Sequence, residues 1–193
     1  MVICEMQHSD VLSVSSLSDS TFGKDFLTTD FIHFTLESNN YRSFCLKKDK
    51  KLIGFAIWEV ATASEISNLF YSEKHFLNNF FNSSNAVAKL NQIAINEEYR
   101  NKGYGDYLLN ESIKSIPYDV DFLTSIYWVK DGSEAMKKLL IKNGFESIKT
   151  ITHYWYNDSI EKKYNCAICG APPCKCSAEI FAKKKPQLNE ALS

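Results

Sequence analysis

Two short stretches of this 193-residue chain carry residue types whose spacing could do chemistry. The first is RNKGYGDYLL, residues 100–109, where Arg100, Asn101, Lys102, Gly103, Tyr104 and Gly105 precede an apolar helical run. A helix N-terminus leaves backbone N–H groups unpaired and carries partial positive charge, so it suits phosphate. Gly103 and Gly105 let the backbone turn tightly and approach a ligand closely. The chemistry indicated is pyrophosphate binding. Neither of two familiar phosphate loops fits, because Leu108 stands where a dinucleotide fingerprint wants glycine, and no Gly-Lys is followed by Ser or Thr. The second stretch holds Cys166, Cys169, Cys174 and Cys176, a C-x2-C-x4-C-x-C spacing. Four soft thiolates within so short a segment can close a tetrahedral zinc site, and CAICG has the usual knuckle form. Four protein ligands leave no open position, so Zn2+ there would brace the chain rather than catalyse. Free thiols, redox chemistry or an iron–sulfur cluster are the other uses of such a set. Cys4 and Cys45 are distant and read as buried hydrophobes.

The elements that position these residues follow from apolar periodicity. Val2 to Met6 reads as a short strand, and residues 9–38 as helix in two pieces, the second with Phe22, Phe26, Phe31 and Phe34. Tyr41 to Leu46 and Leu52 to Val60 form a hairpin across KKDKK, with Gly54 marking a bulge or a close backbone approach. Residues 64–81 read as one helix with Ile66, Leu69, Phe70, Leu77, Phe80 and Phe81 on one face, serving core packing in preference to a lid or dimer face. Lys89 to Ile95 is a strand, residues 105–116 a helix stopped by Pro117, and Val120 to Val129 a strand. Asp131 with Glu134 predicts a capping box on a helix that ends at Gly144, and Ser147 to Tyr156 a closing strand. Beyond Asn157 the chain turns polar, then cysteine-rich, then basic at Lys183-Lys184-Lys185. This divides it into a main domain, 1–156, and a C-terminal extension, 157–193, that carries the cysteines and a solvated basic tail.

Composition bounds the rest. The chain is 45% hydrophobic and 23% charged with net charge −1, so it is a folded protein without a global electrostatic case for nucleic acid. It has no signal-peptide pattern and no run near the ~18 apolar residues of a membrane span, which predicts a cytoplasmic protein with no membrane partner. Cytoplasmic cysteines are read as thiols or metal ligands.

The pattern Arg-x-x-Gly-x-Gly at 100–105, after IAINEEY and before DYLL, resembles the acetyl-CoA loop of the GNAT N-acetyltransferases. SEAMKKLLIKNGF, residues 133–145, resembles that family's next helix with its closing Gly-Phe. The resemblance implies an α/β (α+β) fold: a mixed central sheet splayed between strands 4 and 5, helices on both faces, and here a small zinc-knuckle-like appendage. It implies acetyl-CoA as co-substrate. The backbone of residues 100–105 would hold its pyrophosphate, and the backbone of Ile93, Ala94 and Ile95 would pair with its pantetheine arm like an added strand. Ser133 stands where the family commonly has an asparagine at the coenzyme. The reaction implied is acetyl transfer to a primary amine by direct attack in a ternary complex. A small molecule, a protein amino group or an aminoacyl-tRNA could be the acceptor, and a homodimer is an open assembly.

One departure concerns the proton for the leaving thiolate. The family often carries a tyrosine four residues before the closing glycine, and this chain has Leu140 there. Tyr127 is the first substitute and Tyr104 the second, with core packing as the competing use of Tyr127. Glu59 is the candidate base, followed by Glu65, each competing with a role as a solvated carboxylate. Gln92 could orient a water. His8, His33, His75 and His153 find no partner in the sequence, and His153 reads as a strand residue. Leu140 also sustains an alternative, a weak or inactive coenzyme A-binding protein whose zinc segment contacts a protein or nucleic acid.

Overall fold

Apolar residues that recur on one or both faces of short segments build a seven-stranded sheet in the computed structural model, which describes residues 1–70, 73–82, 84–129, 134–163, 165–166 and 168–186. The strands are β1 (Val2–Glu5), β2 (Tyr41–Lys48), β3 (Lys51–Ala61), β4 (Ala86–Ile95), β5 (Val120–Val129), β6 (Glu146–Ile151) and β7 (Ser177–Lys184). Their spatial order is β1-β2-β3-β4-β5-β7-β6. Among the described residues only β4 and β5 pair in parallel; the other neighbouring pairs are antiparallel.

Helices cover both faces. On one, α5 (Tyr104–Lys114) and α6 (Ala135–Lys142) bury Leu108, Leu109 and Leu140 against Trp58, Leu90, Leu123 and Phe181. The other face carries two separate clusters. There α1 (Val11–Phe22) and α2 (Thr29–Glu37) set Val14 and Ile32 on Phe55, Ile57 and Ala94. Beside them α3 (Ala63–Asn68) and α4 (Lys74–Phe80) set Ile66 and Leu77, with Phe70 just after α3, on Val87 and Ile180. Thr28 caps α2, and Thr62 with Glu65 forms a capping box on α3. No helix among the described residues is long and apolar enough to cross a membrane.

Several sequence expectations change. Residues 64–81 make two short helices rather than one: Ile66, Phe70, Leu77 and Phe81 are buried, but Leu69 and Phe80 are each 37% exposed, so one straight stripe does not pack. The last predicted strand stops at Ile151, and a turn then leads to α7 (Tyr156–Lys162). Asp131 and Ser133 lie outside the described residues, while α6 starts at Ala135 with no side-chain cap from Glu134. Chain order and space also part company at residue 157. The stretch read as an extension supplies β7, which is inserted between β5 and β6 and buried along Ala178–Ala182. The basic run is the end of that strand rather than a solvated tail. Lys183 Nζ donates to the Asn143 carbonyl at 2.8 Å, and Lys185, 7% exposed, donates to the Pro117 carbonyl at 3.1 Å. The cysteine segment therefore lies within the β6–β7 connection.

Candidate active site

The sheet opens between β4 and β5. Their pairing runs from Ala86 opposite Val120 to Leu90 opposite Ser125 and then ends, although β4 continues to Ile95 and β5 to Val129. The cause is local. Ile57 pairs with Gln92 and Trp58 with Leu90, so Asn91 is the extra residue of a β-bulge, and such a residue bends its strand. Beyond it β4 stays with β3 as far as Ile95, while β5 stays with β7 as far as Val129. A wedge results, with the segment Gln92–Ile95 along one wall.

The glycine loop stands at the end of that wall. Asn96 caps a 3-10 turn over Glu97–Tyr99, Asn101 and Gly103 take positive φ of 59° and 80°, and α5 begins at Tyr104. Gly103 offers no side-chain cap, so the first N–H groups of α5 keep their affinity for an anion. A Cβ on Gly103 would meet nothing within 4 Å, so the loop faces open space. The loop's cations brace it from behind. Arg100 Nε donates to the Ile95 carbonyl at 2.9 Å and its Nη2 to Thr21 Oγ1 at 3.4 Å, while Lys102 Nζ donates to the Glu98 carbonyl at 2.7 Å. Tyr104 packs on Tyr99 with ring centroids 6.2 Å apart. Gly54 has both features expected of it, a register shift beside it and a close approach to Ile95 and the Ala94 carbonyl. Two surface depressions, of about 440 and 220 Å³, contain none of residues 91–105.

The candidate proton carriers occupy opposite faces of the sheet. Tyr127 lies on the diverging part of β5, 5% exposed within the α5–α6 cluster and edge-on to Phe181. Burial, then the charge of Glu134, pushes its hydroxyl up, so it stays protonated at neutral pH. Leu140 is fully buried in the same cluster. Glu59 accepts from Asn91 Nδ2 at 3.0 Å, and beside it burial and then the Glu59 charge push the Tyr41 hydroxyl up to about 12. Glu65 is committed to its helix cap, receiving Thr62 N–H at 3.0 Å and Thr62 Oγ1 at 2.8 Å, and is a poor base candidate. His153 is exposed in the turn after β6, and His8 and His33 stack on each other with Nδ1 atoms 3.0 Å apart. Sequence reasoning passed over Lys89 and Asn91. Their signal was present: a cation and an amide interrupt the apolar run AVAKLNQIAI.

The four cysteines of the 166–176 segment converge. Their Sγ atoms lie within 4.8 Å of one another, with Cys166–Cys176, Cys169–Cys174 and Cys169–Cys176 at 3.7, 4.0 and 3.4 Å. A zinc tetrahedron with ~2.3 Å bonds has sulfur–sulfur edges of about 3.8 Å, so the donor set fits the metal. Amides already point at the sulfurs: Ile168 N–H at Cys166 (3.4 Å) and Lys175 N–H at Cys169 (3.3 Å). The second contact pulls the Cys169 thiol down, whereas burial pushes Cys174 and Cys176 up. Cys174 N–H donates to Ser159 Oγ at 2.8 Å, tying the cluster to α7. Nearby, Trp155 packs edge-on against Trp128 of β5, and Tyr154 Oη donates to the Leu69 carbonyl at 3.3 Å. The segment thus reaches the open end of β5 and the end of α3.

The sheet thus parts between its parallel strands directly before a glycine loop and a helix N-terminus, the arrangement that the family resemblance implied. Residues 11–145 match the Acetyltransferase (GNAT) family, and the chain belongs to it. Among solved structures it is similar to the ribosomal-protein-S18-alanine N-acetyltransferase from Escherichia coli, with 17% identity, 97% of each chain covered and a TM-score of 0.65. It is also similar to Arabidopsis thaliana NAA60 in complex with a bisubstrate analogue and in complex with acetyl-CoA. Each has a TM-score of 0.67 and 16% identity, covering 95% of this chain and 98% and 100% of theirs. No curated protein matches the chain in sequence.

Proposed function

We propose that this protein is an acetyl-CoA-dependent N-acetyltransferase that acetylates a primary amine by direct attack in a ternary complex. The observation that carries the reading is the wedge after Leu90 and Ser125, placed immediately before the uncapped glycine loop. The N–H groups of Gly103, Tyr104 and Gly105 hold the pyrophosphate, and the backbone of Ile93, Ala94 and Ile95 pairs with the pantetheine arm. Arg100 and Lys102 hold the loop in shape. An alkyl amine is mostly protonated at neutral pH, so Glu59 first takes one proton from the ammonium, freeing the lone pair that attacks the thioester carbonyl; the second nitrogen proton is lost to solvent as the tetrahedral intermediate forms. A backbone N–H near Ile93 or Ala94 stabilises the oxyanion. The carbon–sulfur bond then breaks, and the coenzyme thiolate takes a proton from Tyr127, which replaces the tyrosine absent at position 140. The four cysteines hold structural Zn2+, which suits a cytoplasmic protein whose thiols stay reduced.

Calorimetry with acetyl-CoA, paired with thiol release over an amine panel, tests this. Wild type should bind and turn over. Gly103→Glu should abolish binding, because it adds a side chain at φ 80° and a negative charge beside the pyrophosphate. Unchanged affinity would remove the loop from the site. Tight binding with no turnover would favour a coenzyme-binding role, consistent with the buried Leu140.

A further inference from the structure

The face of the sheet under α1–α4 carries polar residues in an otherwise apolar surface, between its two helix clusters. Glu59 and Lys89 lie directly opposite each other on β3 and β4, so their side chains share a face. Gln92 lies opposite Ile57, whose side chain belongs to the α1–α2 cluster, and is on that face too. Asn91, the bulged residue at the point of the wedge, links the charges: its Oδ1 accepts from Lys89 Nζ at 2.6 Å and its Nδ2 donates to Glu59 Oε2 at 3.0 Å. The amide is thereby oriented, oxygen toward the cation and nitrogen toward the anion.

This array is incomplete in two respects. An ammonium has three donors. Lys89 Nζ has Asn91 Oδ1 and the face of Phe70, 5.9 Å from the ring centroid, but no carboxylate within 4.0 Å among the described residues. Burial pushes it below the ordinary lysine range, yet the residue keeps partial exposure. The Gln92 side-chain oxygen is buried with no hydrogen-bond partner. A buried acceptor left unpaired costs about 1–3 kcal/mol, and a ligand N–H would remove that cost. The array thus asks for an anion at Lys89 and for an N–H donor at Gln92, beside the Glu59 carboxylate.

We propose that Glu59, Lys89, Asn91 and Gln92 form the acceptor subsite, and that the acceptor is an amine carrying its own carboxylate, with a free α-amino acid as the shortest member. This rests on the N-acetyltransferase reading. The acceptor ammonium meets Glu59 and Gln92, and its carboxylate meets Lys89. A polyamine would bring a second cation to Lys89. A peptide N-terminus would offer Lys89 only a neutral carbonyl and leave its charge uncompensated. The products are an N-acetylamino acid and free coenzyme A.

The test compares free amino acids, their C-terminal amides, a tripeptide and spermidine, read as kcat/KM for thiol release. Free acids should exceed their amides by about tenfold or more, as a charge-assisted contact predicts. Lys89→Met should collapse the acid-to-amide ratio toward one, chiefly through KM for the acids, and Lys89→Arg should restore part of it. Gln92→Leu, a smaller perturbation, should raise KM for both acids and amides. Calorimetry with acetyl-CoA on each protein separates two failures. If wild type binds coenzyme and turns over the panel but prefers amides, peptide or spermidine, the subsite assignment falls. An acid-to-amide ratio unmoved in Lys89→Met overturns it equally, because a structural lysine would depress both classes alike. If wild type does not bind coenzyme, or binds it and acetylates none of the panel, the proposed function fails first and the subsite with it.

Discussion

Alanine at position 54 would place a methyl group between β3 and the coenzyme wall of β4. Its Cβ would lie 2.5 Å from Ile95 Cδ1, 2.8 Å from the Ala94 carbonyl oxygen and 3.4 Å from Leu108 Cδ2. The isoleucine tip can rotate away. The carbonyl cannot, because it is backbone in a paired strand, so β4 must shift by several tenths of an ångström. Forcing a methyl group into a packed interior costs about 1–3 kcal/mol. For a domain of this size each kcal/mol lowers the melting temperature by roughly 2–4 °C, giving an expected loss of about 2–12 °C. The displaced carbonyl belongs to Ala94, so coenzyme affinity should fall in the same variant, by about tenfold for each 1.4 kcal/mol of lost pairing. Thermal melting and calorimetry with acetyl-CoA read both effects. Gly105→Ala is the control for stability: its Cβ would sit at an ordinary 3.8 Å from Ile95 Cγ1 and Leu139 Cδ2, and alanine favours the helix. A Gly54→Ala protein that melts like wild type and binds coenzyme equally well would refute the reasoning, for the two strands would then have room that the geometry denies.

Tyr127→Phe should lower kcat at least tenfold with little change in coenzyme affinity, and a normal rate would clear Tyr127 of the acid role. Metal analysis should find about one zinc per chain, lost on Cys169→Ser or chelation, with a drop in melting temperature as the β6–β7 connection loosens. Iron in place of zinc, or melting indifferent to chelator, would overturn that assignment. Acid should destabilise the fold through three carboxylates. Burial opposes ionisation of Asp10 and Glu179, but Lys47 for the first, and Ser147 with Lys137 for the second, hold them below the usual carboxylate range. Lys142 and Asn143 hold Asp106 there. Because the folded values are depressed, their contribution is fully present above the unfolded pKa near ~4 and is lost as pH falls through the folded values. Melting temperature should therefore drop as pH falls below about 4, and Asp10→Asn should flatten that drop.

Local chemistry was written into the sequence. The uncapped helix start after Gly103, the hairpin across residues 48–51 and the cysteine quartet each depend on neighbours in the chain, so spacing alone revealed them. The wedge between strands 4 and 5 was legible only through family resemblance, because no periodicity marks where two strands stop pairing. What tertiary structure alone decided is long-range. SAEIFAKK reads as the start of a basic tail until it is seen between β5 and β6, where its alternation is masked by burial on both faces and Lys183, like Lys185 just beyond, finds a carbonyl. That insertion turns the cysteine segment from an appendage into part of the β6–β7 connection, beside Trp128. Likewise Glu59 and Lys89, thirty residues apart in the chain, face each other only because the antiparallel β3–β4 register sets them in opposition. A sequence declares what each residue can donate, accept or bend; sheet pairing, a contact between distant segments, decides which of those capacities meet.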